Sequence, residues 1–80
     1  MATLQIETTS RWDALALAAH LRGRAWYLVE PDARHWNVCV RVDDLDVPAD
    51  VRRAVEQWLE RRKLAAATVY VDGRRLTLNG

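Results

Sequence analysis

The stretch Ala25–Val42, AWYLVEPDARHWNVCVRV, decides how the rest of the chain is read. Two runs rich in β-branched and aromatic residues flank Pro31-Asp32, which predicts a hairpin at the centre of a small sheet. With Pro31 to Arg34 in the loop, Glu30 faces His35. The pairs then run back as Val29 with Trp36, Leu28 with Asn37, Tyr27 with Val38, Trp26 with Cys39 and Ala25 with Val40. Opposed residues share a face, and faces alternate along a strand. One face therefore collects Ala25, Tyr27, Val29, Trp36, Val38, Val40 and Val42, and is expected to be core. The other collects Arg24, Trp26, Leu28, His35, Asn37, Cys39 and Arg41. Sliding the register by one residue would bury Asn37 and Arg41 without partners, which favours this pairing.

Outward from the hairpin, the flanking segments supply helices and more strands. Thr3 to Glu7 alternates, with Leu4 and Ile6 on one side, as a half-buried strand does. Ser10 followed by Asp13 suits a helix N-terminus, and Arg11 to Arg22 is rich in alanine and leucine, with Gly23 as its stop. This helix carries two apolar stripes: Ala14, Leu17, Ala18 and Leu21, and Trp12, Leu15, Ala16 and Ala19. Two stripes need two surfaces, so the Trp12 stripe meets either the second helix or another subunit. Asp43, Asp44 and Asp46 lack the glycine and distal glutamate of a calcium loop, and are expected as a solvated turn with capping acids. Pro48 to Leu64 is the clearest helix. Val51, Ala54, Val55, Trp58 and Leu59 form its single core stripe, and Arg61-Arg62-Lys63 suits the C-terminal end of the dipole. Asp72-Gly73 is a strong two-residue turn signal. It pairs Val71 with Arg74, Tyr70 with Arg75, Val69 with Leu76 and Thr68 with Thr77.

The expected fold is α+β: one antiparallel sheet with two helices on one face, in the order β-α-β-β-α-β-β. The first six elements are similar to the ferredoxin-like split βαβ plan, with an extra C-terminal strand. The 80 residues, half of them hydrophobic and 29% charged, make a single domain with a modest core. The lone Cys39 excludes an internal disulfide and fits a reducing compartment. No apolar run approaches the roughly 18 residues of a membrane span, and the N-terminal residues lack a charged-then-apolar signal pattern. A cytoplasmic protein without a membrane partner is expected.

Little catalytic chemistry is legible. His35 and Cys39 share a strand face but stand roughly 13 Å apart at about 3.3 Å per residue, too far for a thiolate–imidazole pair. Two histidines and one cysteine show no metal-ligand spacing, and three glycines build no phosphate loop. Neither metal nor cofactor is expected, and the chain is read as a non-enzyme. Its net charge of +1, from 12 basic and 11 acidic residues, does not mark a general polyanion binder.

The sheet face without helices carries the functional expectation. Trp26, Leu28, Arg24, Asn37, Cys39, Arg41, Tyr70 and Arg75 fall on it, and a patch mixing tryptophan, tyrosine and arginine has the composition of an interface hot spot. The expected function is protein–protein binding or self-association centred on Trp26, with Trp12, Leu15 and Ala19 as a possible second interface. Single-stranded nucleic acid could instead stack on Trp26 and Tyr70, its phosphates meeting Arg24, Arg41 and Arg75. Small-molecule sensing between paired domains is the third reading, and no residue names a ligand for it.

Overall fold

Strand β1 (Ala2–Thr8) runs down the middle of the sheet in the computed structural model, which describes residues 2–79. Helix α1 (Arg11–Ala18), the hairpin β2 (Trp26–Asp32) and β3 (His35–Val42), helix α2 (Ala49–Arg62), and the hairpin β4 (Ala66–Val71) and β5 (Arg74–Asn79) follow in that order. The strands line up as β2-β3-β1-β4-β5, and every neighbouring pair is antiparallel. The fold is thus α+β, a single five-stranded antiparallel sheet with two helices.

Alternation along the strands sorts the residues into two layers. Leu4, Ile6, Val38, Val40, Val42, Val69 and Val71 are buried in one cluster with Leu17 of α1 and with Val51, Val55, Trp58 and Leu59 of α2. Both helices therefore lie on the same side of the sheet. All five stripe positions of α2 are buried, as its periodicity predicts. The two helices are tied at their ends. Asp13, capped into α1 through Ser10, is buried, and its Oδ1 lies 2.8 Å from Arg62 Nη2 near the end of α2. The second hairpin turns at Asp72-Gly73, both at positive φ, and keeps the expected register from Val71–Arg74 back to Thr68–Thr77. No helix among the described residues is long and apolar enough to cross a membrane.

The first hairpin departs from expectation. Asp32 pairs with His35 across a tight turn at Ala33-Arg34, but Val29 then pairs with Asn37, Leu28 with Val38, Tyr27 with Cys39 and Trp26 with Val40. Between Val29 and Asp32 the β2 side holds Glu30 and Pro31, against Trp36 alone on β3. This extra residue is a bulge, and Pro31, with no N–H to give a ladder, is suited to it. Every β2 residue before the bulge is consequently turned to the opposite face. Trp26 and Leu28 share the helix side with Val40 and Val38, and Leu28 packs against the core. Tyr27 and Val29 point to the helix-free side. Strand β3 keeps its predicted faces, because the slip falls wholly on β2. The burial penalty for Asn37 and Arg41 therefore never opposed it.

Helix α1 is also shorter than its composition suggests. It stops at Ala18, and Leu17–His20 and Ala18–Leu21 bonds of the tighter i to i+3 type follow, well before Gly23. Its Ala14 stripe is buried, whereas Trp12 is 84% exposed and Leu15, Ala16 and Ala19 are exposed with it. The second helix does not cover the Trp12 stripe.

The register makes a direct prediction. Leu28→Ala should destabilise the fold by about 1–2 kcal/mol, less than the roughly 2–5 kcal/mol of a fully buried leucine because Leu28 is only half-buried. Val29→Ala, on the open side, should cost under about 0.5 kcal/mol. Denaturant melts of the two variants check this, and a larger loss at Val29 would contradict the pairing.

Candidate functional site

The helix-free side of the sheet is built in rows. Tyr27, Cys39, Gln5, Tyr70 and Arg75 stand opposite one another in turn across all five strands. A neighbouring row holds Val29, Asn37 and Glu7, and on the other side Arg41 lies opposite Thr3. The centre is closed and the rims are open. Cys39 is wholly buried and Asn37 is 7% exposed, while Tyr27 is 50% and Val29 39% exposed. Arg41 and Arg75 are exposed, and Tyr70 is half-buried.

One end of this face gathers polar side chains. His35 Nδ1 lies 2.9 Å from both carboxylate oxygens of Asp32, and its Nε2 lies 3.8 Å from Glu7 Oε1. The Asp32 carboxylate also accepts the backbone N–H of Arg34 at 2.7 Å, which holds it over the turn. The Tyr70 hydroxyl donates to Glu7 Oε2 at 3.4 Å. Asn37 Nδ2 donates to Gln5 Oε1 at 3.0 Å, but Asn37 Oδ1 is buried with no hydrogen-bond partner among the described residues. Together with Pro31 and Gly73, these residues line an open groove of about 400 Å³.

Electrostatics follow from that geometry. The hydrogen bond to Asp32 holds the His35 imidazole above its usual pKa; the Asp32 and Glu7 charges add to this, and partial desolvation and Arg34 oppose it. The same bond to His35, with the Arg34 N–H, holds Asp32 below the usual carboxylate range. Burial pushes the Cys39 thiol up, against a smaller pull from the neighbouring Tyr27 hydroxyl. A thiol so placed is a poor nucleophile. Among the described residues no group of three or more His, Cys, Asp and Glu side chains could hold a metal ion.

The expected site residues are only partly brought together. Asn37, Cys39, Arg41, Tyr70 and Arg75 do share the helix-free side, although Asn37 and Cys39 form its buried floor rather than its surface. Trp26, Leu28 and Arg24 do not belong to it. Trp26 stands 40% exposed at the sheet edge on the helix side, walling a shallow groove with Gly23, Arg24, Ala25, Tyr27 and Arg41. Arg24 reaches the start of α2, where Nε lies 2.6 Å and Nη2 3.0 Å from the Asp50 carboxylate. Residues outside the expected set replace them: Tyr27, Val29, Gln5, Glu7 and Asp32. The alternation of Thr3 to Glu7 put Gln5 and Glu7 opposite the core, so their face was legible. That Glu7 would stand beside His35 was not. Compared with protein-family models, with curated proteins and with solved structures, the chain matches none.

The Asp32–His35 pair sets a pH window. His35's raised pKa stabilises the fold fully below the ordinary imidazole range, and this is lost as pH rises through the raised value. Asp32's lowered pKa stabilises above the ordinary carboxylate range and is lost as pH falls through the lowered value. The pair thus acts between the two titrations. In a proton NMR titration His35 should titrate above a free imidazole, and Asp32→Asn should lower that value. An unchanged His35 titration in the variant would remove the pair from the site.

Proposed function

We propose that this chain is a non-catalytic binding module that holds another protein on the helix-free side of its sheet. The observation that carries this is the pairing of exposed Tyr27 and Val29, on one side of an edge strand, beside a buried Asn37–Cys39 floor. An exposed apolar edge set beside the charged groups of Glu7, Asp32, Arg41 and Arg75 has the mixed composition of a protein interface. The strand order β2-β3-β1-β4, with β5 outside β4, supports the ferredoxin-like plan for the scaffold. A buried lone thiol is compatible with a reducing, cytoplasmic setting.

Single-stranded nucleic acid has weaker support. Tyr27, Tyr70, Arg41 and Arg75 would serve it, but Glu7 and Asp32 set two carboxylates on the surface where phosphates would run. The exposed Trp12 stripe on α1 is a second apolar surface, and no charged group on it specifies an occupant.

A photo-crosslinking residue placed at Val29 tests the proposal in the source cells. It should give a discrete cross-linked polypeptide, and the same residue at exposed Gln57 on α2 should not. Equal labelling from both positions, or no adduct from Val29, would overturn it.

A further inference from the structure

The charges on the helix-free side are arranged so that the face complements itself. Arg41 and Asn37 lie two residues either side of Cys39 on β3, and Thr3 and Glu7 lie two residues either side of Gln5 on β1. Gln5 and Cys39 are themselves a cross-strand pair. A two-fold axis running across the strands above this pair carries Arg41 onto Asn37 and Thr3 onto Glu7. We propose, building on the binding role given above, that a second copy of this chain covers the face about that axis, so that Arg41 of each copy enters the Glu7–Asn37–His35 groove of the other.

Three observations converge on that occupant. The groove is rich in acceptors, with the Glu7 and Asp32 carboxylates beside His35 and the amide oxygens of Gln5 and Asn37. A guanidinium, which donates only, in a planar fork, matches such a lining better than any other side chain. Asn37 Oδ1, which has no hydrogen-bond partner among the described residues, lies shielded beneath this lining and adds the negative end of its amide dipole to the groove floor. Arg41 is exposed on the same face, at the distance along the strand that the rotation requires.

Size and shape are compatible with the same arrangement. Five strands about 4.8 Å apart and roughly 20 Å long give a face of about 500 Å². Two stacked copies would cover about 1,000 Å² in total, at the lower bound of a specific interface and suited to a reversible dimer. Twisted sheets packed face to face keep their strands within about 30° of each other, as this axis demands. Tyr27 meets its own copy beside the axis, where offset stacking is favourable. Arg75 also falls on the axis row, but on the outermost strand, where twist parts the two sheets and the guanidinium stays in water.

Sedimentation equilibrium of the purified chain over roughly a hundredfold range of concentration reads the outcome. Wild type should dimerise reversibly. Arg41→Glu and Glu7→Arg should each weaken the dimer at least about tenfold, and the double variant should recover to within about threefold of wild type, because the pair is restored with its sign reversed. Thermal melts by circular dichroism accompany each variant. If Arg41→Glu does not melt cooperatively, Arg41→Gln replaces it, with a weakening of the same direction. A wild type that stays monomeric, or a dimer indifferent to both single reversals, overturns the inference. A monomer whose Val29 photo-adduct contains a different polypeptide leaves the binding role standing and removes only the second copy as occupant.

Discussion

Leu4 and Ile6 are wholly buried in the middle strand, and both helices close over them from the same side. Burying each such side chain contributes about 1.5–3 kcal/mol, so the strand has no alternative orientation. Since strand side chains alternate, the same two residues force Gln5 and Glu7 out of the opposite side. Pairing with β3 then brings Glu7 beside Asn37, and pairing with β4 brings Gln5 beside Tyr70. The polar groove is in this sense the reverse of the core. The packing that fixes one surface leaves the other no choice of residues.

Much of this was legible wherever apolar and polar residues contrast. The α2 stripe alternates sharply with arginines and glutamates, and every stripe position is buried. In β3 the valines at 38, 40 and 42 stand against Asn37 and Arg41, and their sides are as expected. The segment Trp26–Val29 has no such contrast, because WYLV is apolar on both sides. Its face depends on how many residues the turn holds, and Pro31 fits a loop or a bulge equally well. One bulged residue therefore exchanged Trp26 and Leu28 for Tyr27 and Val29. Arg24 moved for a related reason. It precedes the strand, and its bidentate pairing with Asp50 joins segments whose proximity only the tertiary fold creates. The short α1 is a case of local propensity losing to context. Ala19 and Leu21 favour a helix, yet the chain tightens after Ala18, and Leu21 is buried.

A net charge of +1 conceals how unevenly the helix-free surface is charged. Glu7, Asp32 and the histidine beside them sit at one end, and Arg41 sits past the centre on the other. Strand pairing creates this polarity: Glu7, Asp32 and His35 come from three different strands. A census of charges cannot register such a gradient, whereas a partner approaching the surface would meet it first.

The position of β1 has a consequence for how the molecule assembles. Its two neighbours in the sheet, β3 and β4, are both distant in sequence, and β4 belongs to the last part of the chain. On a translating ribosome β1 is made first and must wait for both. Until β4 docks, one flank of the strand offers unpaired backbone groups and a partly open apolar side to anything nearby. Long-range pairings of this kind slow folding, because the chain gives up its freedom before the contacts that compensate for it can form. The interval before β4 arrives is therefore when the chain is most exposed to aggregation, and synthesis at about 5–20 residues per second, far slower than closure of a hairpin in roughly 1–10 μs, sets how long that interval lasts.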